Sequence, residues 1–192
     1  DDLSRGLGDV YKRQDLLVLE MLLDVDHSKI LLNAALETGL PVWVGLSCCD
    51  SKFDNSVIGR NFRAEKEKSL IYDENKYRDQ PKYLPEDKII LLEDIIKSLT
   101  SLGGDVYGIM HTWFQDSIGG LKILKNNWKG PIMFYPEIHK FDTNTHKAII
   151  TMTEEEFSNS ILELIDDQIQ IVGGCCGVND KHLKRLIQSI SE

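Results

Sequence analysis

Residues 172–177 read Val172-Gly173-Gly174-Cys175-Cys176-Gly177. A short apolar run (Ile169, Ile171, Val172) leads into this stretch, and a helix-like segment, Asp180–Ile190, follows it at once. Strand, glycine-flanked turn and helix make a βα unit with two adjacent thiols at the end of its strand. A parallel α/β protein keeps its chemistry there. A disulfide between neighbouring cysteines is strained. Thiolates held side by side in a reducing compartment instead suit a soft or borderline metal such as zinc.

The same alternation extends upstream. Leu16–Leu19 is predicted as a buried strand ending at Glu20. From Asp26 to Thr38, Ile30, Leu31, Ala34 and Ala35 fall at helical spacing, and Gly39 supplies a C-cap. Residues 41–46 read as the next strand, and Pro85–Leu102 as a helix with Glu86 and Asp87 in its first turn. Strands at 106–110 and 131–135 alternate with helices at 117–128 and 153–166. The last of these helices opens on Thr153-Glu154-Glu155-Glu156, close to a capping box.

Strict βα alternation implies a parallel sheet, either doubly wound or a (β/α)8 barrel. No glycine-rich phosphate fingerprint follows the first strand, which weighs against a dinucleotide fold. The expected fold is therefore α/β, an incomplete (β/α)8 TIM barrel holding the last five βα units. Ser51–Leu84, polar and carrying Tyr72, Tyr77 and Tyr83, is too long for a simple βα loop. It reads as a lid, an excursion or a poorly ordered insertion.

The 192 residues are 42% hydrophobic and 28% charged, enough for one core. A net charge of −9 argues against a general nucleic-acid binder and against an anionic membrane surface. No apolar run reaches the length of a membrane span, and no signal peptide is visible. The four cysteines come as two adjacent pairs, Cys48-Cys49 and Cys175-Cys176, which is not a spaced disulfide framework. A reduced, cytoplasmic protein is expected; nothing in the sequence fixes its oligomeric state. Ser4–Gln14, SRGLGDVYKRQ, resembles the in-frame translation of a transposase adapter used in DNA library preparation. Residues 1–14 are therefore expected to lie outside the fold, with one domain over 15–192.

Read in order, the strand ends offer Glu20; Ser47, Cys48 and Cys49; His111 and Thr112; Pro136 and Glu137; Cys175 and Cys176. A carboxylate, thiols and an imidazole meeting on one rim form a metal-site constellation.

Gly-Gly-Cys-Cys-Gly at the end of a final strand resembles the zinc motif of the homocysteine S-methyltransferase family. Those proteins are (β/α)8 barrels whose zinc is held by three cysteines, one on the sixth strand and two on the eighth. Asp15–Glu20 resembles the fourth strand, whose glutamate holds the substrate amino group, and Pro41-Val-Trp-Val-Gly45 resembles the fifth. Gly108-Ile-Met-His111 stands where the family has Gly-Val-Asn-Cys, and Pro131–Pro136 resembles the seventh strand. The resemblance implies a zinc site of Cys175, Cys176 and His111, the histidine replacing a cysteine and leaving one less negative charge. It implies Glu20 and Glu137 as substrate-side carboxylates, Glu137 standing where the family has asparagine.

The activity so implied is transfer of a methyl group from an onium or similar donor to the thiol of homocysteine, giving methionine. S-methylmethionine, S-adenosylmethionine, a betaine and a methylated folate all serve relatives as donors. The alternative is a truncated or non-catalytic zinc-binding relative. Cys48 and Cys49 are a weaker source of a third ligand. His27, His139, His146 and His182 read as surface or helix residues, and Trp43, Trp113 and Trp128 as packing residues.

Overall fold

The computed structural model describes residues 14–23, 25–50, 56–59, 90–142 and 147–191. In chain order the elements are β1 (Leu17–Leu22), α1 (Val25–Leu36), β2 (Val42–Leu46), β3 (Cys48–Asp50), β4 (Val57–Gly59), α2 (Leu92–Thr100), β5 (Val106–Trp113), α3 (Phe114–Asn127), β6 (Ile132–Glu137), β7 (His139–Asp142), β8 (Lys147–Ile150), α4 (Glu154–Leu162), β9 (Ile169–Val172) and α5 (Asp180–Ser191).

Strands β1, β2, β5, β6 and β9 form one sheet in that order, every neighbouring pair parallel. The order follows the chain without reversal. A doubly wound sheet reverses at its switch point; a barrel does not. The architecture is thus α/β with the strand sequence of an incomplete barrel.

Side-chain alternation separates the two faces. Val42, Val44, Leu46, Tyr107, Ile109, Ile132 and Phe134 project to the outer face, where they pack with Leu32, Leu99, Leu124, Phe157 and Ile161 from the helices. Full burial of each such aliphatic or phenyl side chain stabilises by about 1.5–3 kcal/mol. On the inner face Val106, Met110 and Met133 form a smaller cluster with Trp43, Tyr135 and Ile171. Gly108 makes room for it: a Cβ there would lie 2.1 Å from Met133 Cγ and 2.4 Å from its carbonyl oxygen.

Several boundaries differ from the sequence reading. The buried face of α1 is Ser28, Leu32 and Ala35, while Ile30 and Leu31 are exposed. The periodicity was right and its phase was not, because four apolar residues in close succession fit two neighbouring stripes. Strands β5 and β6 run on past Met110 and Tyr135, and α3 starts at Phe114, three residues before the predicted Ser117. Helix α4 ends at Leu162, where Ile165 N still donates to Ile161 O at 3.0 Å. The antiparallel hairpins β3–β4 and β7–β8 were not foreseen; strands of three or four residues are too short to show a period. Residues 1–13, most of Ser51–Leu84, the first five residues of the predicted 85–102 helix and His146 lie outside the described residues.

Candidate metal centre

The C-terminal ends of the parallel strands carry the chemistry-bearing side chains. On β5 the register slips between Met110 and Trp113, and His111 there adopts φ +46°. A non-glycine residue in the left-handed region is strained. Here the backbone is held in place: Ser47 Oγ donates to Met110 O at 3.0 Å and to His111 O at 2.7 Å. Thr112 Oγ1 donates to Met110 O at 2.9 Å and accepts from Cys48 N at 3.0 Å. Ser47 and Thr112 are both buried. The bulge re-aims one side chain at a functional rim, and these two hydroxyls fix it.

The cysteine loop is an extension of the β6–β9 pairing. Gly173 N donates to Phe134 O at 3.1 Å, Cys175 N to Pro136 O at 3.0 Å and Ile138 N to Cys176 O at 2.9 Å. Gly177 turns the chain at φ +91°, and a Cβ there would sit 3.1 Å from His139 Cβ. Its missing side chain lets the loop close against the segment after β6.

The result is a triad. Cys175 Sγ lies 3.7 Å from His111 Nδ1 and 3.9 Å from Cys176 Sγ. Tetrahedral zinc with Zn–S of about 2.3 Å and Zn–N of about 2.0–2.1 Å spaces its donors about 3.8 Å sulfur to sulfur and about 3.5 Å sulfur to nitrogen. The spacing observed in the triad therefore fits a single zinc-sized cation with one coordination position to spare. Burial, the neighbouring Cys176 and the Glu137 carboxylate push the Cys175 thiol up to about 11. Burial and crowding thus favour the protonated form of Cys175, and a bound divalent cation would invert that preference.

The sequence reading placed its residues unevenly. His111, Cys175 and Cys176 come together as expected. Glu137 is 4% exposed, with Oε2 3.5 Å from His111 Nδ1. Glu20 is exposed on β1, one residue before Met21 at φ 58°. Burial first, and then the Glu20 charge, raise the Tyr135 phenol, which places that carboxylate toward the inner face. The Cys48–Cys49 pair lies on the β3–β4 hairpin, away from the triad; Cys48 is buried, and a Cβ on Gly120 would meet its Sγ at 2.5 Å.

Two histidines stand out: one keeps its expected place and one departs from it. His182 is on a helix as expected, but it is buried: its ring stands edge-on to Phe157 at 5.7 Å, with Nδ1 2.9 Å from Asn179 Oδ1. Its role is packing at the start of α5. His139 lies on β7 beside Glu137 and Cys176. The signal for it was the Glu137-x-His139 spacing, which puts both side chains on one side of an extended chain.

A run of consecutive parallel βα units with a thiol–imidazole cluster on its C-terminal rim defines a barrel-type α/β protein whose rim gathers donors that could hold a metal ion. The profile of the homocysteine S-methyltransferase family matches residues 91–190, just over half of the chain, and the chain belongs to that family. Among solved structures, the homocysteine methyltransferase MmuM from Escherichia coli, in its metallated form, aligns with TM-score 0.60 and 14% identity, over 97% of this chain and 48% of that one. Dihydrodipicolinate synthase DapA-2 from Bacillus anthracis aligns with TM-score 0.52 and 10% identity, over 97% of this chain and 52% of that one. The chain thus spans about half the length of each, and at these identities the likeness is one of fold. Comparison with curated proteins gave no match.

Proposed function

We propose that residues 15–192 form part of a homocysteine S-methyltransferase barrel, with Cys175, Cys176 and His111 holding a zinc ion that serves methyl transfer to homocysteine, giving methionine. The observation that carries the reading is the donor spacing of the triad, 3.7 and 3.9 Å, which suits tetrahedral zinc with one position open. Zinc bound there would supply the positive charge that keeps a substrate thiol ionised near neutral pH.

This chain's residues do the rest. The two cysteines and His111 would hold the ion on the rim. Glu20 receives the amino group of the amino-acid substrate. Glu137, buried beside His111, lies on the substrate side of the triad. The substrate thiolate then attacks the methyl carbon of an onium or similar donor in line, forming the S–CH3 bond of methionine as the methyl–heteroatom bond breaks and the demethylated donor leaves with that electron pair. No residue need act as general base once the thiol proton has left. All four cysteines are free, which suits a reducing compartment such as the cytoplasm. No described helix is long and apolar enough to cross a membrane.

The test measures zinc content and methylation of homocysteine by S-methylmethionine for the wild-type chain and Cys175→Ser. The expected result is loss of the triad's zinc and of methyl transfer together. Zinc content unchanged by Cys175→Ser would refute the triad as the metal centre.

A further inference from the structure

Beside the triad stands a second group of donors. Glu137, His139 and Cys176 offer one carboxylate oxygen, one imidazole nitrogen and one sulfur, all within 4.8 Å of one another. Cys176 belongs to both groups. The two are also joined through Glu137, whose Oε2 is 3.5 Å from His111 Nδ1.

Glu137 is the decisive residue. It is 4% exposed, and its Oε2 is buried without a hydrogen bond. A buried carboxylate oxygen that meets an imidazole nitrogen only at 3.5 Å, too long for a good hydrogen bond, is costly unless a cation or a closer donor compensates it. The backbone beside it is anchored to the cysteine loop, because the buried Ile138 donates its N–H to Cys176 O at 2.9 Å. That bond holds the chain next to Glu137 beside the loop that carries Cys176. One sulfur, one nitrogen and one oxygen donor is a ligand set that zinc accepts, and hard cations such as magnesium do not favour thiolates.

We propose that the rim carries a second divalent-metal position, formed by Glu137, His139 and Cys176, with the Cys176 thiolate shared between it and the triad. The inference rests on the metal-centre reading above only in that shared thiolate. Three protein donors leave a tetrahedral position open for water or for an anionic group of the substrate. Glu137 then meets the substrate through the cation and not directly.

The experiment titrates the metal-free, reduced chain with zinc and measures ions per chain by elemental analysis after dialysis. Wild type, His139→Ala, Glu137→Gln and Cys175→Ser are compared, the isosteric Glu137→Gln covering the case in which His139→Ala fails to fold. The proposal expects about two zinc ions in wild type and about one in each variant, the ion left in His139→Ala still being lost when Cys175→Ser is added. One ion in wild type, unchanged by His139→Ala and Glu137→Gln, overturns the second position and leaves the triad standing. One ion abolished equally by His139→Ala and Cys175→Ser puts all five donors round a single cation and also overturns it. One ion lost with His139→Ala and kept in Cys175→Ser upholds this position and refutes the triad. A folded chain with no zinc overturns both.

Discussion

His111 lets strain and metal binding be measured separately. Its φ of +46° costs a non-glycine residue about 1–2 kcal/mol. Alanine at this position keeps the whole of that cost, whereas glycine removes it and gives back about 0.5–1 kcal/mol through the larger entropy of its unfolded chain. Both substitutions delete the same imidazole, which is 18% exposed, so that loss cancels between them. Mid-range, about 1.5 kcal/mol of strain relieved against about 0.75 kcal/mol returned leaves His111→Gly more stable than His111→Ala by about 0.75 kcal/mol. At an ordinary strand position the order is reversed.

The assay is urea unfolding of the metal-free chains. With a slope of about 2 kcal/mol per molar urea, the glycine variant's midpoint should lie about 0.3–0.5 M above the alanine variant's, with equal slopes. Zinc affinity should fall in both, because neither offers an imidazole. A midpoint for alanine equal to or above that of glycine would show that the left-handed backbone does not carry the strain. Wild-type zinc affinity in the glycine variant would show that His111 is no ligand.

Three further outcomes are expected. Gly108→Ala drives a methyl into Met133, whose carbonyl oxygen would be 2.4 Å away, and should cost about 1–3 kcal/mol in urea unfolding; a neutral result would mean that β5 and β6 are not packed as described. Thr153 Oγ1 accepts from Glu156 N at 3.3 Å while Thr153 N donates to Glu156 Oε2 at 2.8 Å. Thr153→Ala should therefore cost about 1 kcal/mol and Thr153→Ser little, read as thermal midpoints. Burial raises the Cys48 thiol well above its ordinary value of 9.0. The neutral thiol is the form the fold accepts, so its contribution is complete below pH 9 and declines as pH rises further, toward a limit of about 1.4 kcal/mol per pH unit. The stability gap between wild type and Cys48→Ala should narrow from pH 9 to pH 10; a constant gap would mean that Cys48 ionises freely in the folded chain.

The sequence by itself determined the βα alternation and the position of the chemistry. Apolar runs of four to six residues, helical spacing between them and Gly-Gly-Cys-Cys-Gly at the last strand end are local signals, and local signals survive in one dimension. Strand ends offered His111, Cys175 and Cys176 among other candidates, the family resemblance singled those three out, and the structure brings their donor atoms together. The phase of α1 was ambiguous because burial of Leu32, and exposure of Ile30 and Leu31, is set by which side of the helix meets the sheet.

Tertiary structure alone decided the rest. The barrel-type sheet, expected over a doubly wound one from the missing glycine fingerprint and the family resemblance, is borne out by strand order, which records how distant segments pair and leaves no mark on periodicity. His182 is the helix residue expected, but its burial comes from Phe157 and Met152, 25 and 30 residues earlier in the chain. His139 joined Glu137 and Cys176 only because the cysteine loop bonds back to the segment after β6. The strain at His111 was equally invisible, since it is Ser47, 64 residues earlier, that holds its carbonyl. A sequence names donors that sit at the ends of its elements. Long-range backbone hydrogen bonds decide which of those donors can share a cation.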